Sequence, residues 1–388
     1  MRILLTADTV GGVWTYALEL ARALNEHNVE VALATMGALP SAEQRVQLDD
    51  LTNTQLFASS FKLEWMEDPW QSVGWAGEWL LRLEERVRPD VIHLNNYAHG
   101  ALPWSAPVLI VGHSCVLSWW AAVKHENAPS NWDRYRQEVT MGLRHADLVL
   151  APTEHMLTQL ELHYGPFKES GVVLNGRDSR MFPPEEKEPF IFAAGRVWDE
   201  AKNIAALEEV APRLSWPVYV AGEEEHPDGT SKGHSNIRGL GNVAPQAVPA
   251  WFAKAAIYAH PARYEPFGLS VLEAGLAGCA LVLGDVPSLR EIWKDSALFV
   301  PPDDTDALED ALNTLISDDS HRASLAELSR ERALALSPQR MAFGYLDAYR
   351  DMIYAQGREL SGSLMTNRER SESQLPIHAV SSEESDCA

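Results

Sequence analysis

At 388 residues the chain exceeds one ordinary domain, and with 46% apolar residues it can fill more than one hydrophobic core. Its formal net charge of -23 repels polyanions, which excludes nucleic acid as a partner and leaves at most weak peripheral contact with a membrane. Three cysteines, Cys115, Cys279 and Cys387, form no C-x-x-C pair, so neither a disulfide framework nor a structural zinc site is expected. The opening run Arg2-Ile3-Leu4-Leu5-Thr6-Ala7 is too short for a signal peptide, and no stretch nears the roughly 20 apolar residues of a spanning helix. The expected location is the cytoplasm.

In chain order, short apolar runs alternate with amphipathic helical stretches, the pattern of βαβ units and parallel sheets. Strands are expected at residues 2–7, 29–35, 90–94, 107–111, 148–151 and 172–174. Gly11-Gly12 turns the first strand into a helix with Val13, Ala17, Leu20, Ala21 and Leu24 at helical spacing. A helix around 130–145 falls between the fourth and fifth of these strands. Residues 177–188, rich in proline and charge, read as a linker between a first domain (1–176) and a second (189–337). The second set of strands is expected at 190–194, 218–221, 237–240, 256–259, 280–283 and 297–300. A final helix, 338–358, has no strand after it and is expected to pack back on the first domain. Residues 359–388 are polar, serine-rich and aperiodic, and are expected to be disordered. The fold class is α/β: two Rossmann-like doubly wound parallel-sheet domains facing a cleft.

The strongest chemical signal is Arg263-Tyr264-Glu265-Pro266-Phe267-Gly268-Leu269-Ser270-Val271-Leu272-Glu273-Ala274. It follows the strand at 256–259, and ligands of open α/β sheets lie beyond the carboxyl ends of strands. Gly268 allows close backbone approach, and the free N–H groups near Leu269 and Ser270 form an anion site at a helix start. Glu265 and Glu273 then present two carboxylates to one pocket, suited to sugar hydroxyls beside a phosphate. Arg196 also emerges at a strand end, with Lys202 nearby; a guanidinium fork and a compact ammonium are apt phosphate ligands in so acidic a chain.

These segments resemble the E-x7-E motif and neighbouring elements of retaining GT-B glycosyltransferases, in particular family 4. The resemblance extends to Gly195-Arg196 with Lys202-Asn203, to Val173-Leu174-Asn175-Gly176 with Asp178 and Phe182, and to Ala146 through Thr153. It further includes 285–292 and Val300-Pro301-Pro302-Asp303-Asp304, so it covers roughly residues 1–350. It implies a nucleotide-sugar donor whose diphosphate meets Arg196 and Lys202, with Glu273 on the ribose and Glu265 on the donor sugar. It also implies backbone contact from Gly11 and Gly12 with donor phosphate and acceptor, and a donor-sugar role for His113, which ends the strand at 107–111. Where the family often has a second histidine, this chain carries Asn95, close to His93, Asn96 and His99.

Other features read differently. Gly11-Gly12 is not G-x-G-x-x-G, which disfavours a nicotinamide cofactor. Asp304-Thr305-Asp306 spells a D-x-D metal motif but precedes a helical stretch and reads as an N-cap. The acidic run 223–228 reads as a solvated loop. No cofactor or metal is expected. Nine of the 13 tryptophans precede residue 133; several are expected in the core, whereas Trp119-Trp120 are candidates to stack on an acceptor sugar. The reading is transfer of a hexose-type sugar to a glycan, lipid-linked or small-molecule acceptor with retained anomeric configuration. Its rivals are a nucleotide-sugar epimerase of the same fold and a non-catalytic nucleotide-sugar-binding protein. The sequence carries no signal of oligomeric state.

Overall fold

The structure, a computed structural model, describes residues 1–223 and 235–357. The expectations for residues 359–388 and for most of the acidic run 223–228 lie outside the described residues. Seven strands form the first sheet: β1 (Arg2–Asp8), β2 (Glu30–Met36), β3 (Thr54–Ala58), β4 (Val91–Leu94), β5 (Val108–Val111), β6 (Leu148–Ala151) and β7 (Ser170–Val172). Six form the second: β8 (Glu188–Ala194), β9 (Val218–Ala221), β10 (Arg238–Gly239), β11 (Ala255–His260), β12 (Ala280–Gly284) and β13 (Leu298–Val300). Their spatial orders are β3-β2-β1-β4-β5-β6-β7 and β10-β9-β8-β11-β12-β13, with parallel pairing throughout. This is the expected pair of doubly wound α/β layers.

The central strands are apolar on both faces because helices cover both: Ile3, Leu4 and Leu5 of β1 are fully buried, as are Ile257, Tyr258 and Ala259 of β11. Three strands depart from the sequence expectation. β3 was not anticipated, since its half-exposed Thr-Gln-Leu-Phe-Ala edge lacks a continuous apolar run. β7 lies two residues earlier than expected; the chain leaves the sheet after Val172 so that Val173 and Leu174 can pack in two different cores. β10 keeps two residues of the expected four because it pairs only along one side, with β9.

The chain crosses between the two halves twice, and the crossings touch. Arg177 donates its backbone N–H to Leu336 O at 3.1 Å. A Cβ on Gly176 would lie 2.2 Å from Ser337 O, so only glycine permits this approach. Ser337 then caps the final helix, Pro338–Ala355, accepting from Arg340 N at 3.3 Å, with Pro338 in its first turn. That helix buries Met341, Ala342, Tyr345, Leu346, Tyr349 and Ile353 against β1 and the first helix, Gly12–Asn25.

Candidate active site

Each sheet reverses its winding at one point, between β1 and β4 in the first and between β8 and β11 in the second. A crevice opens beyond the carboxyl ends of strands at such points. β1 leads into Gly11-Gly12, β4 into Asn95, β8 into Gly195-Arg196, and β11 into the loop carrying Glu265. The two crevices face each other: a Cβ on Gly11 would meet Arg196 Nη1 at 3.5 Å, and one on Gly12 would meet Leu269 Cδ1 at 3.5 Å. Gly11 has φ +92, a left-handed value that favours glycine.

Lys202 Nζ donates to Glu265 Oε2 at 2.7 Å, and His260 Nε2 approaches the same oxygen at 2.9 Å. Burial alone would raise the Glu265 pKa, but the Lys202 charge and the two hydrogen bonds hold it well below the usual carboxylate range. His260 is buried and its pKa is lowered by that burial, so the neutral ring donates from Nε2 to the acceptor-only carboxylate. Ser288 Oγ donates to Glu265 O and fixes the loop from beneath. The result is a permanently ionised carboxylate whose contacts both fall on one oxygen.

Arg196 donates through Nη2 to Asp199 Oδ2 at 2.7 Å and lies over the Trp198 ring; its Nε is buried with no hydrogen-bond partner among the described residues. An orphaned guanidinium N–H beside a glycine turn is a place for an anionic oxygen. Gly195 and Gly222 shape this corner, since a Cβ on Gly222 would sit 1.8 Å from Gly195 O. Gly268, with φ +89, starts the helix Leu269–Leu276, so the free N–H groups of Leu269 and Ser270 lie at its head. Asp8, at the end of β1, is pushed up to about 7, chiefly by burial, while the Val10 N–H and the Arg196 charge oppose the rise.

Glu273 is less free than the sequence suggests. Arg177 Nε donates to its Oε1 at 2.9 Å, while Arg177 Nη1 pairs with Glu19 of the first helix. Burial raises the pKa of both carboxyls, and the Arg177 charge opposes that rise. Arg177 is therefore the cation that faces Glu273.

His113 Nε2 lies 2.8 Å from Asn95 Oδ1. Asn95 donates through Nδ2 to Thr6 O at 2.6 Å, which fixes the amide orientation, so Nε2 carries the imidazole proton and Nδ1 is an acceptor. Burial pushes the His113 pKa down to about 3, and the ring is neutral at working pH. His93 lies deeper, bonded to Tyr349 and Tyr16 hydroxyls, and belongs to the core. Trp119 donates to Asp199 Oδ1 at 3.4 Å, facing the second half across the cleft.

Arg196, Lys202, Glu265, Leu269, Gly11 and Gly12 thus share one cleft. Sequence reasoning did not single out Arg177, Glu19, His260, Asp199 or Asp8. His260 ends a strand five residues before Glu265, a usable signal; Arg177 and Glu19 gain their partners from distant segments, and Asp8 and Asp199 meet the other half only across the cleft. Asp304 caps the helix Thr305–Ser317, accepting from Ala307 N at 2.9 Å. Among the described residues no group of three or more His, Cys, Asp or Glu could hold a metal ion, and no helix is long and apolar enough to cross a membrane.

Residues 10–180 match the family described as Glycosyltransferase Family 4, and residues 188–318 match Glycosyl transferases group 1. The O-antigen chain mannosyltransferase B of Escherichia coli is 33% identical over 153 residues, which span 36% of this chain and 39% of that protein. A D-inositol 3-phosphate glycosyltransferase of Nocardioides sp. is 25% identical over 88% of this chain and 85% of its own length. Among solved structures, sucrose-phosphate synthase from Thermosynechococcus elongatus has a TM-score of 0.76 at 19% identity, covering 92% of this chain and 100% of that one. Anabaena HepE in complex with UDP-glucose has a TM-score of 0.73 at 16% identity, covering 90% and 100%. The two sheets, their facing switch points and the two family matches agree: the chain belongs to the family 4, group 1 glycosyltransferases of the GT-B fold.

Proposed function

We propose that the protein transfers a hexose-type sugar from a nucleoside-diphosphate sugar to a hydroxyl of a glycan, lipid-linked or small-molecule acceptor, with retained anomeric configuration and without a metal. The observation that carries this reading is the Lys202–Glu265 pair at 2.7 Å beside Arg196, opposite the Gly11-Gly12 turn. The UDP-glucose complex of Anabaena HepE supports a nucleotide-sugar donor.

In this mechanism the donor diphosphate lies against Arg196, Lys202 and the N–H groups of Leu269 and Ser270. As the sugar–phosphate bond breaks, negative charge grows on the leaving oxygen and positive charge on the ring. Fixed cations and dipoles stabilise the first, and the ionised Glu265 the second; one such preorganised contact is typically worth about 10²–10³ in rate. His113 Nδ1 accepts from a donor-sugar hydroxyl. Glu273, paired with Arg177, accepts from the ribose hydroxyls.

A thermal-shift panel of nucleotide sugars identifies the donor, since a ligand of the folded state raises the melting temperature. NMR of the product formed from that donor then reads the new anomeric centre. Inversion, or loss of activity on chelation, refutes the respective part of the proposal. Sugar isomerisation without acceptor would point to an epimerase, and binding without turnover to a non-catalytic protein.

A further inference from the structure

The cations of the cleft already have carboxylate partners. Arg196 is paired with Asp199 at 2.7 Å and Lys202 with Glu265 at 2.7 Å, while Arg177 faces both Glu19 and Glu273. The first half adds Asp8, half-buried at the carboxyl end of β1. Five carboxyls thus stand about three cations, in a place that is to receive a diphosphate with both phosphates ionised. Uncompensated charge in a cleft shielded from water is costly, and such a site relieves it by taking up a proton.

The partners of each carboxyl decide where that proton goes. Glu265 accepts from Lys202 and His260, and Asp199 accepts from Arg196, Ala201 N and Trp119 Nε1. Asp8 has no ion pair among the described residues, and Val10 N, 3.2 Å from Oδ1, is its single hydrogen-bond donor there. Its own surroundings are uncharged: Met36 lies beside it on β2, β4 leads into Asn95 and Asn96, and the turn Gly11-Gly12 follows it. The charge that faces it is Arg196, from the second half. A Cβ on Gly11 would lie 3.5 Å from Arg196 Nη1, so the loop that carries Asp8 abuts the guanidinium whose Nε has no partner among the described residues.

We propose that Asp8 is a donor-binding residue that takes up a proton as the nucleotide sugar binds and, as the neutral acid, donates from Oδ2 to a diphosphate oxygen beside Arg196. The proposal rests on the sugar-transfer reading and deepens it: a proton, as well as Arg196 and Lys202, neutralises the diphosphate. The proton comes from solvent and returns there when the nucleotide leaves; no covalent bond is made. An ionised Asp8 would repel the phosphate, and Arg196, with Asp199 already on Nη2, cannot offset both. Burial brings the free carboxyl up to about 7, so its proton is at hand near neutral pH, and a bound diphosphate raises it further. Donor affinity is therefore full below about pH 7 and falls as pH rises above it.

Calorimetry of UDP-glucose, ADP-glucose, dTDP-glucose and GDP-mannose in buffers of different ionisation enthalpy counts the protons. Unlike free nucleoside diphosphates, these donors carry no phosphate that titrates near neutral pH. With the donor that binds, wild type should take up about 0.9 proton at about pH 8 and about 0.1 at about pH 6. Its Kd should be level below about pH 7 and rise about tenfold per pH unit above. Asp8→Asn keeps a donating N–H without the titration. Its proton uptake should vanish, its affinity should not vary with pH, and it should bind about tenfold more tightly than wild type at about pH 8. Asp8→Ala, which has no donor, should bind about 10- to 100-fold more weakly than Asp8→Asn. Uptake that persists in Asp8→Asn, or a wild-type affinity that is flat from about pH 6 to 9, would overturn the proposal. Uptake that is lost instead in Glu19→Gln would assign the proton to the carboxyls about Arg177 and overturn it equally. A wild type that binds none of the four donors refutes the underlying reading, whereas binding without uptake refutes the role of Asp8 alone.

Discussion

Substituting Arg177→Met would leave Glu19 and Glu273 buried together without their cation. The methionine keeps most of the stem that lies against the Phe182 ring, so the change isolates charge from packing. Arg177 is about nine-tenths buried (10% exposed), Glu19 is 1% exposed and Glu273 14%, so solvent screens little of the loss. Removing one partner of a buried ion pair costs about 3–5 kcal/mol, which corresponds to a fall of roughly 6–20 °C in melting temperature for domains of this size. The loss should depend on pH in a defined direction. Burial already raises the pKa of both carboxyls above the ordinary value, and loss of the guanidinium raises them further. A carboxyl with a raised folded-state pKa binds its proton more tightly when folded, so its penalty is complete above that pKa and relieved as pH falls through it. Denaturant midpoints should therefore separate wild type from variant most at about pH 8 and least at about pH 5. Glu19→Gln in the variant background should recover part of the loss at the higher pH. A gap independent of pH, or one under about 1 kcal/mol, would refute the assignment of the triad as an electrostatic unit.

Glu265→Gln should reduce transfer by about 10²–10³ while nucleoside-diphosphate binding, measured by calorimetry, stays near wild type. Lys202→Ala should weaken both, because it removes the proposed diphosphate contact and also leaves the Glu265 carboxylate without its closest cation. Asp8 has a folded-state pKa near 7, so its penalty is fully present above pH 7 and fades as pH falls toward the unfolded value; Asp8→Asn should raise the melting temperature at about pH 8 and leave it unchanged at about pH 4. Gly222→Ala should lower donor affinity as well as stability, because the added methyl collides with Gly195 O and displaces the strand end that presents Arg196.

The parts of the site that were legible in the sequence are carried by short contiguous segments: Gly11-Gly12, Arg196 with Lys202, and Glu265 to Ser270. Glu265, Gly268 and the helix start lie within a few residues of one another, and the loop follows an apolar run long enough to read as a strand. Arg177 shows why the rest was not. It sits in Asn175-Gly176-Arg177-Asp178, a turn-rich charged stretch that looks like any solvated linker. Its burial comes from Glu19, 158 residues earlier, and Glu273, 96 residues later. The Tyr264 hydroxyl likewise finds its partner in Ser118, 146 residues away. β3 escaped notice for a different reason: an edge strand with one open face need not be apolar, so its composition matches that of a loop.

The touching crossings at Gly176 and Ser337 have a consequence for the order in which the protein is made. The core around β1 and the first helix includes Tyr345, Tyr349 and Ile353, so the first half of the molecule lacks part of its interior until the last helix leaves the ribosome. The second half is contiguous in sequence from Phe182 to Leu336 and holds its own core. Synthesis from the N-terminus would ordinarily let the first-made domain fold first. Here the second half can complete its interior earlier, and the N-terminal half must wait for the helix Pro338–Ala355 to close around His93.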